Sequence, residues 1–516
     1  MNLTKKATFG IICGTLGALI GLGSTIYIQW QQERNAAPPS LVSTPLEVSM
    51  DSRGPYLILG TEKAVAAWEQ AILAARNLHP GAEWMVFDPL RLQEVKERLA
   101  RISARYAMVF IRPEELDVNL AWAWLRMVTE IDADPFVDVR TGFITGETPE
   151  SVLRFVQRIE RAANGAIRLP ARFVDNLGPN SDMDRTDCAT YPSNFMIPAL
   201  GKRMALTSIS HGTQGFTRDR LTLMQNAGLV HYGGHGYPDR IVDSLNGVFV
   251  RRIRFAPHIF FSGACYTGVT HTWFETDGGR IREKQVSPAT SFALGVLGGE
   301  AVAYLAAVHP DHGIPVYQEM EYLAYSGASL GESMKYTHDG VVLAAGGKLP
   351  ELNPLADGQP APEMTAAEVM LNGTASRILF GDPALRAMAA FALPPFTISA
   401  TPRAGGEIII EAVLRNPDLK STFTEAYYSD LSRTGQFNDR ALVSCPLPKN
   451  NQVVRQIEIK SVTAGGKTIP SRLVGFGLET DQDGIYLHIL LDLPSTGYQE
   501  GPIRVSDAKL ILAARP

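Results

Sequence analysis

The sequence predicts a mixed α/β protein that ends in a sandwich of β-strands, and three observations support this fold class. From residue 55 onward, apolar runs of strand length alternate with segments of helical periodicity, which is typical of a mainly parallel sheet covered by helices. Two further apolar runs, within 229–236 and 259–265, stop abruptly at small residues and read as buried strands. After Pro394 and Pro395 only strand-length segments follow.

The first α/β unit is predicted over residues 55–165, with strands at PYLILG, WMVFD and YAMVFI. The apolar residues between and after these strands recur every three or four positions, which indicates buried helix faces. They are Val65, Trp68, Ile72 and Ala75, then Leu92, Val95, Leu99 and Ile102, then Leu120, Trp124, Met127 and Ile131. The first strand is followed by GTEK rather than by a glycine-rich phosphate loop, so this unit is predicted to be a scaffold and not a nucleotide site.

A second α/β unit is predicted over 166–395 and contains both matched strand ends. AVAYLAAV is a further buried strand candidate, GASLGESMKY should begin a helix, and the glycine- and proline-rich residues 345–362 read as a surface insertion. About seven strand-length segments, several of them alternating, then predict an antiparallel sandwich over 396–516.

The composition is that of an ordinary globular protein. Hydrophobic residues make up 45% of the 516 residues and charged residues 20%. The net charge is -5, from 48 basic and 53 acidic residues, so the chain lacks the positive charge that nucleic-acid binding requires. Nucleic acid is therefore excluded as the expected partner.

The amino terminus predicts membrane attachment. Residues 7–30 contain no charged residue, and as a helix they would span roughly 36 Å, enough to cross a hydrocarbon core of about 30 Å. Lys5 and Lys6 favour a cytoplasmic amino terminus, which would place the body of the protein outside. A cleaved signal peptide is the alternative, but the apolar run is longer than a usual signal core. We expect a membrane anchor at 1–30, a polar tether at 31–54, and a body on the extracytoplasmic side of the cell envelope, or a secreted body if the segment is cleaved.

Four cysteines are too few for a disulfide framework in a chain of this size. Cys13 lies in the predicted membrane segment, and nothing in the sequence tests whether Cys188 and Cys445 pair. Cys265 is the cysteine for which a chemical role is predicted, because it follows one of the two matched strand ends.

The matched strand ends predict a reactive pair. LVHYGGHG carries His235 and IFFSGAC carries Cys265, each just beyond an apolar run. Catalytic groups gather beyond the carboxyl ends of strands in an open parallel sheet, so neighbouring strands would bring the imidazole and the thiol together. An imidazole and a thiol are the two side-chain groups that acyl transfer through cysteine requires.

Each of these residues taken alone has a simpler interpretation. A lone histidine is more often structural, and a lone cysteine is more often a small buried hydrophobe. Zinc binding by His231 and His235 would need a helix, whereas a strand-like run and two glycines lie there. His309 and His312 are expected to be solvent-facing or to stabilise a loop, with metal binding as the less favoured alternative. GACYTG also lacks the glycine pattern of a serine-hydrolase elbow on its carboxyl side.

Together, YGGHG and GAC resemble the gingipain-type peptidases of the caspase-like clan of cysteine proteases. That clan places His-Gly after one hydrophobic strand and Ala-Cys after the next. The residues 135–160, the segment GVLGGEAVAYLAAV and the closing motif LFGDPALR also resemble the family, so the likeness covers roughly 50–395 in order. The terminal sandwich resembles the immunoglobulin-like domain that follows the catalytic domain in this family.

The resemblance implies a caspase-like three-layer α/β/α catalytic unit, preceded by a smaller α/β subdomain and followed by an immunoglobulin-like sandwich. It also implies a cysteine endopeptidase that acts on a protein or peptide substrate. Cys265 would be the nucleophile, His235 the proton-transfer group, and the backbone N–H groups of Gly236 and Cys265 the oxyanion hole. The family often has arginine where Thr141 and Gly142 stand and tryptophan soon after His-Gly, and these departures concern substrate preference.

No cofactor is expected for this chemistry. Asp182, Asp184 and Asp187 could bind a structural calcium ion or line a pocket for a basic side chain, although simple solvation of a loop is the preferred interpretation. A different class of function also stays open, in which a catalytically silent caspase-like scaffold binds envelope or exported partner proteins.

Overall fold

The computed structural model describes residues 45–177, 205–210, 218–241, 245–311, 319, 323, 327–387, 396–414, 421–424, 439–448, 453–464, 467–468, 470–493, 503–505 and 508–516. The predicted membrane segment 7–30, Cys188, His312 and the acidic stretch with Asp182, Asp184 and Asp187 lie outside these ranges. Within them, no helix has the length and apolar character needed to cross a bilayer.

The first half of the α/β region alternates strands with helices, as its sequence pattern predicts. Its elements are β1 (Ser49–Met50), β2 (Tyr56–Thr61), α1 (Glu62–Leu78), β3 (Glu83–Phe87), α2 (Leu92–Ile102), β4 (Tyr106–Phe110), α3 (Val118–Val128), β5 (Arg140–Ile144) and α4 (Pro149–Ala163). Thr61, Asp117 and Thr148 cap the amino ends of α1, α3 and α4 by accepting a backbone N–H. Ile131, which was expected to belong to the third helix, lies beyond its end.

The second half supplies the strands that carry the matched ends. Its elements are β6 (Arg172–Leu177), β7 (Ala205–Ser210), α5 (Arg218–Gln225), β8 (Leu229–Gly233), β9 (Gly236–Tyr237), β10 (Arg240–Ile241), β11 (Leu245–Asn246), α6 (Gly247–Arg252), β12 (His258–Gly263), β13 (Thr272–Asp277), β14 (Arg280–Gln285), α7 (Phe292–Gly298), β15 (Ala301–Ala307), α8 (Leu330–Ala344), α9 (Ala366–Ala375), β16 (Arg377–Phe380) and β17 (Leu385–Arg386).

Both halves share one ten-stranded sheet, in the order β3-β2-β4-β5-β16-β15-β12-β8-β6-β7. The halves meet at β16, which is antiparallel to β15 and reaches β5 at one pair, Phe380 with Phe143. Alternate residues on β12 and β15 enter two separate apolar clusters: Phe260 and Tyr304 belong to one, and Phe261 and Leu305 to the other. Since successive side chains on a strand point to opposite faces, both faces of the sheet are covered. The predicted α/β layers are confirmed.

The carboxyl-terminal unit is an all-β sandwich. Its strands are β18 (Phe396–Pro402), β19 (Ile408–Leu414), β20 (Ser421–Thr424), β21 (Asp439–Leu447), β22 (Gln456–Ala464), β23 (Lys467–Thr468), β24 (Arg472–Asp481), β25 (Gly484–Leu493), β26 (Ile503–Val505) and β27 (Ala508–Arg515). Sheets β18-β19-β27-β22-β23 and β21-β25-β24 contribute alternate side chains to one core, in which Cys445 is fully buried. The strands predicted in this region are confirmed.

The sandwich contacts the α/β region through the hairpin of β24 and β25. Asp481 accepts a hydrogen bond from Arg140 at 2.5 Å, and Asp483 lies 2.9 Å from Arg105. Arg140 begins β5 and Arg105 immediately precedes β4, so the hairpin covers the edge of the sheet at which these strands begin. Beyond the carboxyl end of β4, by contrast, Pro113 accepts a hydrogen bond from Thr270, five residues after Cys265. The sandwich and the Cys265 loop therefore lie at opposite edges.

Candidate active site

The register of two parallel strands aligns His235 with Cys265. Strands β8 and β12 are hydrogen-bonded neighbours, and Gly233, the last residue of β8, pairs with Gly263, the last of β12. Each candidate side chain follows two residues later. The chain turns out of β8 at Gly234, whose φ of 142° is rarely adopted by residues with side chains. The sequence signal for a matched pair of strand ends thus corresponds to a real register.

Gly236 packs directly against the backbone of the nucleophile candidate. A Cβ atom on Gly236 would lie 2.3 Å from the carbonyl oxygen of Cys265 and 2.9 Å from its nitrogen. Such distances are far below a van der Waals contact, so only glycine fits here. The structure therefore brings the segment after His235 onto the segment that holds Cys265. The imidazole of His235 is exposed, whereas Cys265 is mostly buried.

The thiol of Cys265 makes its hydrogen bonds to Asp311. The S–H donates to the carbonyl oxygen of Asp311 at 3.0 Å, and the N–H of Asp311 donates to Sγ at 3.3 Å. Burial raises the pKa of the thiol to about 11; the backbone N–H opposes this shift and the Asp311 carboxylate adds to it. In this state the sulfur is a protonated thiol, and a nucleophilic step needs a partner that removes its proton.

Local hydrogen bonds fix the turn that presents Cys265. Ser262 Oγ lies 2.6 Å from Thr267 Oγ1, and the Thr267 hydroxyl donates to the carbonyl oxygen of Ala264 at 2.9 Å. Tyr266 adopts a φ of 60°, an unusual value for a residue with a side chain. Strained backbone of this kind persists only where the surroundings hold it, and here it sits next to the candidate nucleophile.

Aromatic side chains surround the same turn. The ring centroids of Tyr266 and Trp273 are 5.0 Å apart, and His309 lies edge-on to both Tyr266 and Trp122. The imidazole of His309 is largely withdrawn from solvent, and burial lowers its pKa to about 3, so it is neutral. On the other side of the site, Tyr237 is 46% exposed directly after Gly236. Trp122 is buried, so the aromatic surface beside Cys265 comes from Tyr237, Tyr266 and Trp273, which are exposed or partly exposed.

A buried ionic cluster of one guanidinium and two carboxylates lies beside the Cys265 turn, and no sequence pattern predicted it. Arg377 is fully buried and bonds both Asp311 and Glu319, while its guanidinium also donates to the carbonyl oxygen of Ser262 at 3.0 Å. Asp311 was missed as well, although it follows β15, the neighbour of β12. The apolar run AVAYLAAV ends shortly before Asp311, so the strand-end signal also points to this residue. No sequence pattern singles out Arg377.

Only one group of side chains among the described residues has the composition of a metal site. Asp339, Glu479 and His488 are buried together where α8 meets the sandwich. The ammonium of Lys335 already lies 2.5 Å from Asp339 and 2.7 Å from Glu479, so a cationic group occupies the position that a metal ion would take. As for the zinc alternative, His231 is fully buried in β8 whereas His235 is exposed.

Comparisons with known proteins give structural likenesses only. No protein-family model matches the chain, and no curated protein matches it. Among solved structures, the complex of the pro- and mature domains of RgpB from Porphyromonas gingivalis is 10% identical, with a TM-score of 0.45, covering 89% of this chain and 99% of that one.

Two further structures have the same character. The Arg-specific cysteine proteinase gingipain R is 11% identical, with a TM-score of 0.44, over 91% of this chain and 98% of that one. The separase–securin complex of Saccharomyces cerevisiae is 12% identical, with a TM-score of 0.32, over 54% of this chain and 15% of that one. The first two belong to the family that the motifs resemble. Identities near a tenth do not establish a shared activity.

Proposed function

We propose that this protein is a cysteine endopeptidase in which Cys265 and His235 form the catalytic dyad. The observation that carries the proposal is the register of β8 and β12, which sets both residues two positions beyond paired glycines, with Gly236 seated against the backbone of Cys265. A structural role for either residue alone gives no reason for this matched arrangement.

The proposed reaction is acyl transfer through the thiol. His235 takes the proton of Cys265, the sulfur attacks the carbonyl carbon of a peptide bond, and His235 then donates the proton to the leaving amine. The resulting thioester is hydrolysed by a water molecule that His235 activates. The backbone N–H groups of Gly236 and Cys265 are the proposed donors to the oxyanion, and one such donor is typically worth about 3 kcal/mol of transition-state stabilisation.

Cleavage of a peptide library by the full-length chain tests the dyad. We expect Cys265→Ala and His235→Ala to abolish cleavage, while Cys445→Ala, which removes a thiol buried in the sandwich core, should retain it. The same library reports which side chain is preferred at the cleaved bond. Equal cleavage by the unchanged protein and by Cys265→Ala would exclude Cys265 as the nucleophile.

A silent scaffold is the second candidate, and the bonding of the thiol favours it. Sγ is hydrogen-bonded to Asp311 and not to the imidazole of His235. A thiol-reactive peptide analogue at neutral pH separates the two functions. Labelling of Cys265 that disappears in His235→Ala supports the enzyme, whereas failure of a folded, reduced protein to react supports a scaffold that binds envelope or exported proteins.

Membrane tethering is a separate part of the proposal and rests on the sequence of residues 7–30. The absence of charge over a length sufficient to span a bilayer supports an anchor with the body outside the cytoplasm. Fractionation of cells that express the full chain tests it. Recovery of the protein in the membrane fraction after a high-salt wash supports an anchor, whereas a shortened protein in the soluble fraction indicates a cleaved signal peptide.

A further inference from the structure

Arg377 ties together two segments that meet at the candidate active site. It begins β16, its side chain is fully buried, and its guanidinium has three separate partners. It donates to both carboxylate oxygens of Glu319, at 2.6 and 2.9 Å, and to Asp311 Oδ2 at 2.5 Å. The third partner is the carbonyl oxygen of Ser262, at 3.0 Å, on the strand that ends in the Cys265 turn. One planar cation therefore fixes both sides of that turn.

Backbone pairing continues the same connection toward Cys265. Ala307, the last residue of β15, pairs with Arg377 and accepts a hydrogen bond from the N–H of Gly268 at 2.8 Å. Two residues further on, His309 accepts one from the N–H of Tyr266 at 3.3 Å. The Cys265 turn thus lies along the segment 307–311, whose far end is held by the side chain of Arg377.

Asp311 holds the sulfur from both sides. Its carbonyl oxygen accepts the S–H and its N–H donates to Sγ. A thiolate has no proton to donate, so the first of these bonds exists only in the protonated state. We propose that Asp311, anchored by Arg377, is a positioning residue that holds the thiol of Cys265 in its protonated resting state. This inference rests on the proposed function, because it concerns the same nucleophile.

The charges around the thiol of Cys265 also favour its protonated form. Two carboxylates, of Asp311 and Glu319, face one guanidinium, and Asp311 Oδ1 is buried without a hydrogen-bond partner among the described residues. Burial, and after it the neighbouring Cys265, raises the pKa of the Tyr266 phenol well above its usual value.

Other titratable groups near the thiol come from several elements. His235 is exposed just beyond β8, Tyr304 donates its hydroxyl to the carbonyl oxygen of Thr267, and His338 is hydrogen-bonded to the backbone of Arg377.

His309 is neutral, and His231 on β8 interacts with Glu319. A negative charge on the sulfur would thus be added to a cluster already rich in carboxylates, which opposes ionisation.

The test is the pH dependence of the alkylation of Cys265 by iodoacetamide in the full-length chain, followed by mass spectrometry of the Cys265 peptide so that the other cysteines do not interfere. Asp311→Asn removes the carboxylate charge with little change of shape. We expect its alkylation midpoint to fall by about one pH unit, which makes the reaction about tenfold faster at a fixed pH below the midpoint. Asp311→Glu retains the charge and should retain the midpoint.

Asp339→Asn is the matched control, since it neutralises another fully buried carboxylate that pairs with a cation, Lys335, at the sandwich interface. An unchanged midpoint in Asp311→Asn, or an equal fall in Asp339→Asn, would overturn the proposal. Arg377→Lys provides a second variant, because one ammonium cannot reproduce the contacts to Asp311, Glu319 and Ser262 together. We expect the loosened segment to expose the thiol and to lower its midpoint, and a midpoint equal to that of the unchanged protein would again contradict the inference.

Peptide cleavage by the same preparations separates this inference from the proposed function. If the alkylation midpoint shifts but no preparation cleaves peptides, the positioning role of Asp311 is supported and the peptidase activity is contradicted. If cleavage depends on Cys265 but the alkylation midpoint does not shift, the peptidase activity is supported and the positioning role of Asp311 is contradicted.

Discussion

The ammonium of Lys335, on α8, lies 2.7 Å from the carboxylate of Glu479, on β24, and joins the α/β region to the sandwich by a fully buried ion pair. Glu479 also lies 2.5 Å from the imidazole of His488, and Lys335 also pairs with Asp339. Among the described residues, a small apolar cluster around Phe136, Val342, Leu343 and Leu490 also lies at this interface. The interface is therefore held to a large extent by charge.

We predict that Lys335→Met destabilises the protein strongly. The change leaves Asp339 and Glu479 buried without their cation, and removal of one partner of a buried pair typically costs about 3–5 kcal/mol. Urea unfolding of the full chain measures the loss. Lys509→Met removes a pair between exposed side chains, with Glu411, and should cost less than about 1 kcal/mol. Similar losses of unfolding free energy in the two variants would show that the buried ion pair stabilises the protein no more than the exposed one.

We predict that removal of residues 396–516 lowers stability but does not abolish the reactivity of the Cys265 thiol. The hairpin of β24 and β25 contacts the sheet edge at Arg105 and Arg140, opposite to the edge where Cys265 lies, so its loss exposes charge and the Phe136 cluster without touching the turn. Alkylation of Cys265 in the soluble, folded fraction measures the effect. A folded truncation whose thiol no longer reacts would mean that the sandwich helps to build the site.

Local signals in the sequence were sufficient for the main elements. Apolar runs ending at glycine predicted β8 and β12, and three- and four-residue spacing predicted α1 to α3. These signals are read within about ten neighbouring residues, which is the range over which strand and helix periodicity acts.

The contacts that surround Cys265 are not local, and the sequence could not supply them. Asp311 is 46 residues from Cys265, and Arg377 is a further 66 residues from Asp311. In the sequence, Arg377 directly precedes the strand residues ILF, a position at which arginine is commonly found on the surface. Only the antiparallel pairing of β16 with β15 turns it inward beside Asp311. The same limit explains why the ion pairs between the sandwich and the α/β region were not predicted.

We predict that Gly236→Ala abolishes peptide cleavage while the protein remains folded. The added methyl group would lie 2.3 Å from the carbonyl oxygen of Cys265, so the turn must shift by more than the tolerance of a catalytic site. Cleavage and thermal unfolding are measured together. Gly340→Ala is the control, because its methyl group enters open space in α8 and should be neutral or slightly stabilising. Wild-type cleavage by Gly236→Ala would contradict the packing of these two segments.

We predict that the free energy of unfolding falls between about pH 4 and pH 8 through Asp138. Burial, together with the neighbouring Asp132 and Asp134, raises the pKa of Asp138 from 3.8 to about 8, although Lys335 opposes the shift. Because the folded state holds this proton more tightly than the unfolded chain does, the contribution is fully present below the unfolded pKa and is lost as the pH rises through the folded pKa.

Asp138→Asn removes this titration, so its stability should fall less steeply over the same interval, and the variant should gain most over the unchanged protein near pH 8. Asp132→Asn serves for comparison, because Asp132 is exposed and its negative charge contributes to the raised pKa of Asp138, so its removal should lower the pKa of that carboxyl. Urea unfolding at several pH values measures all three proteins. Parallel pH profiles for Asp138→Asn and the unchanged protein would show that Asp138 is ionised in the folded state throughout, and that its burial beside the sandwich interface does not retain a proton.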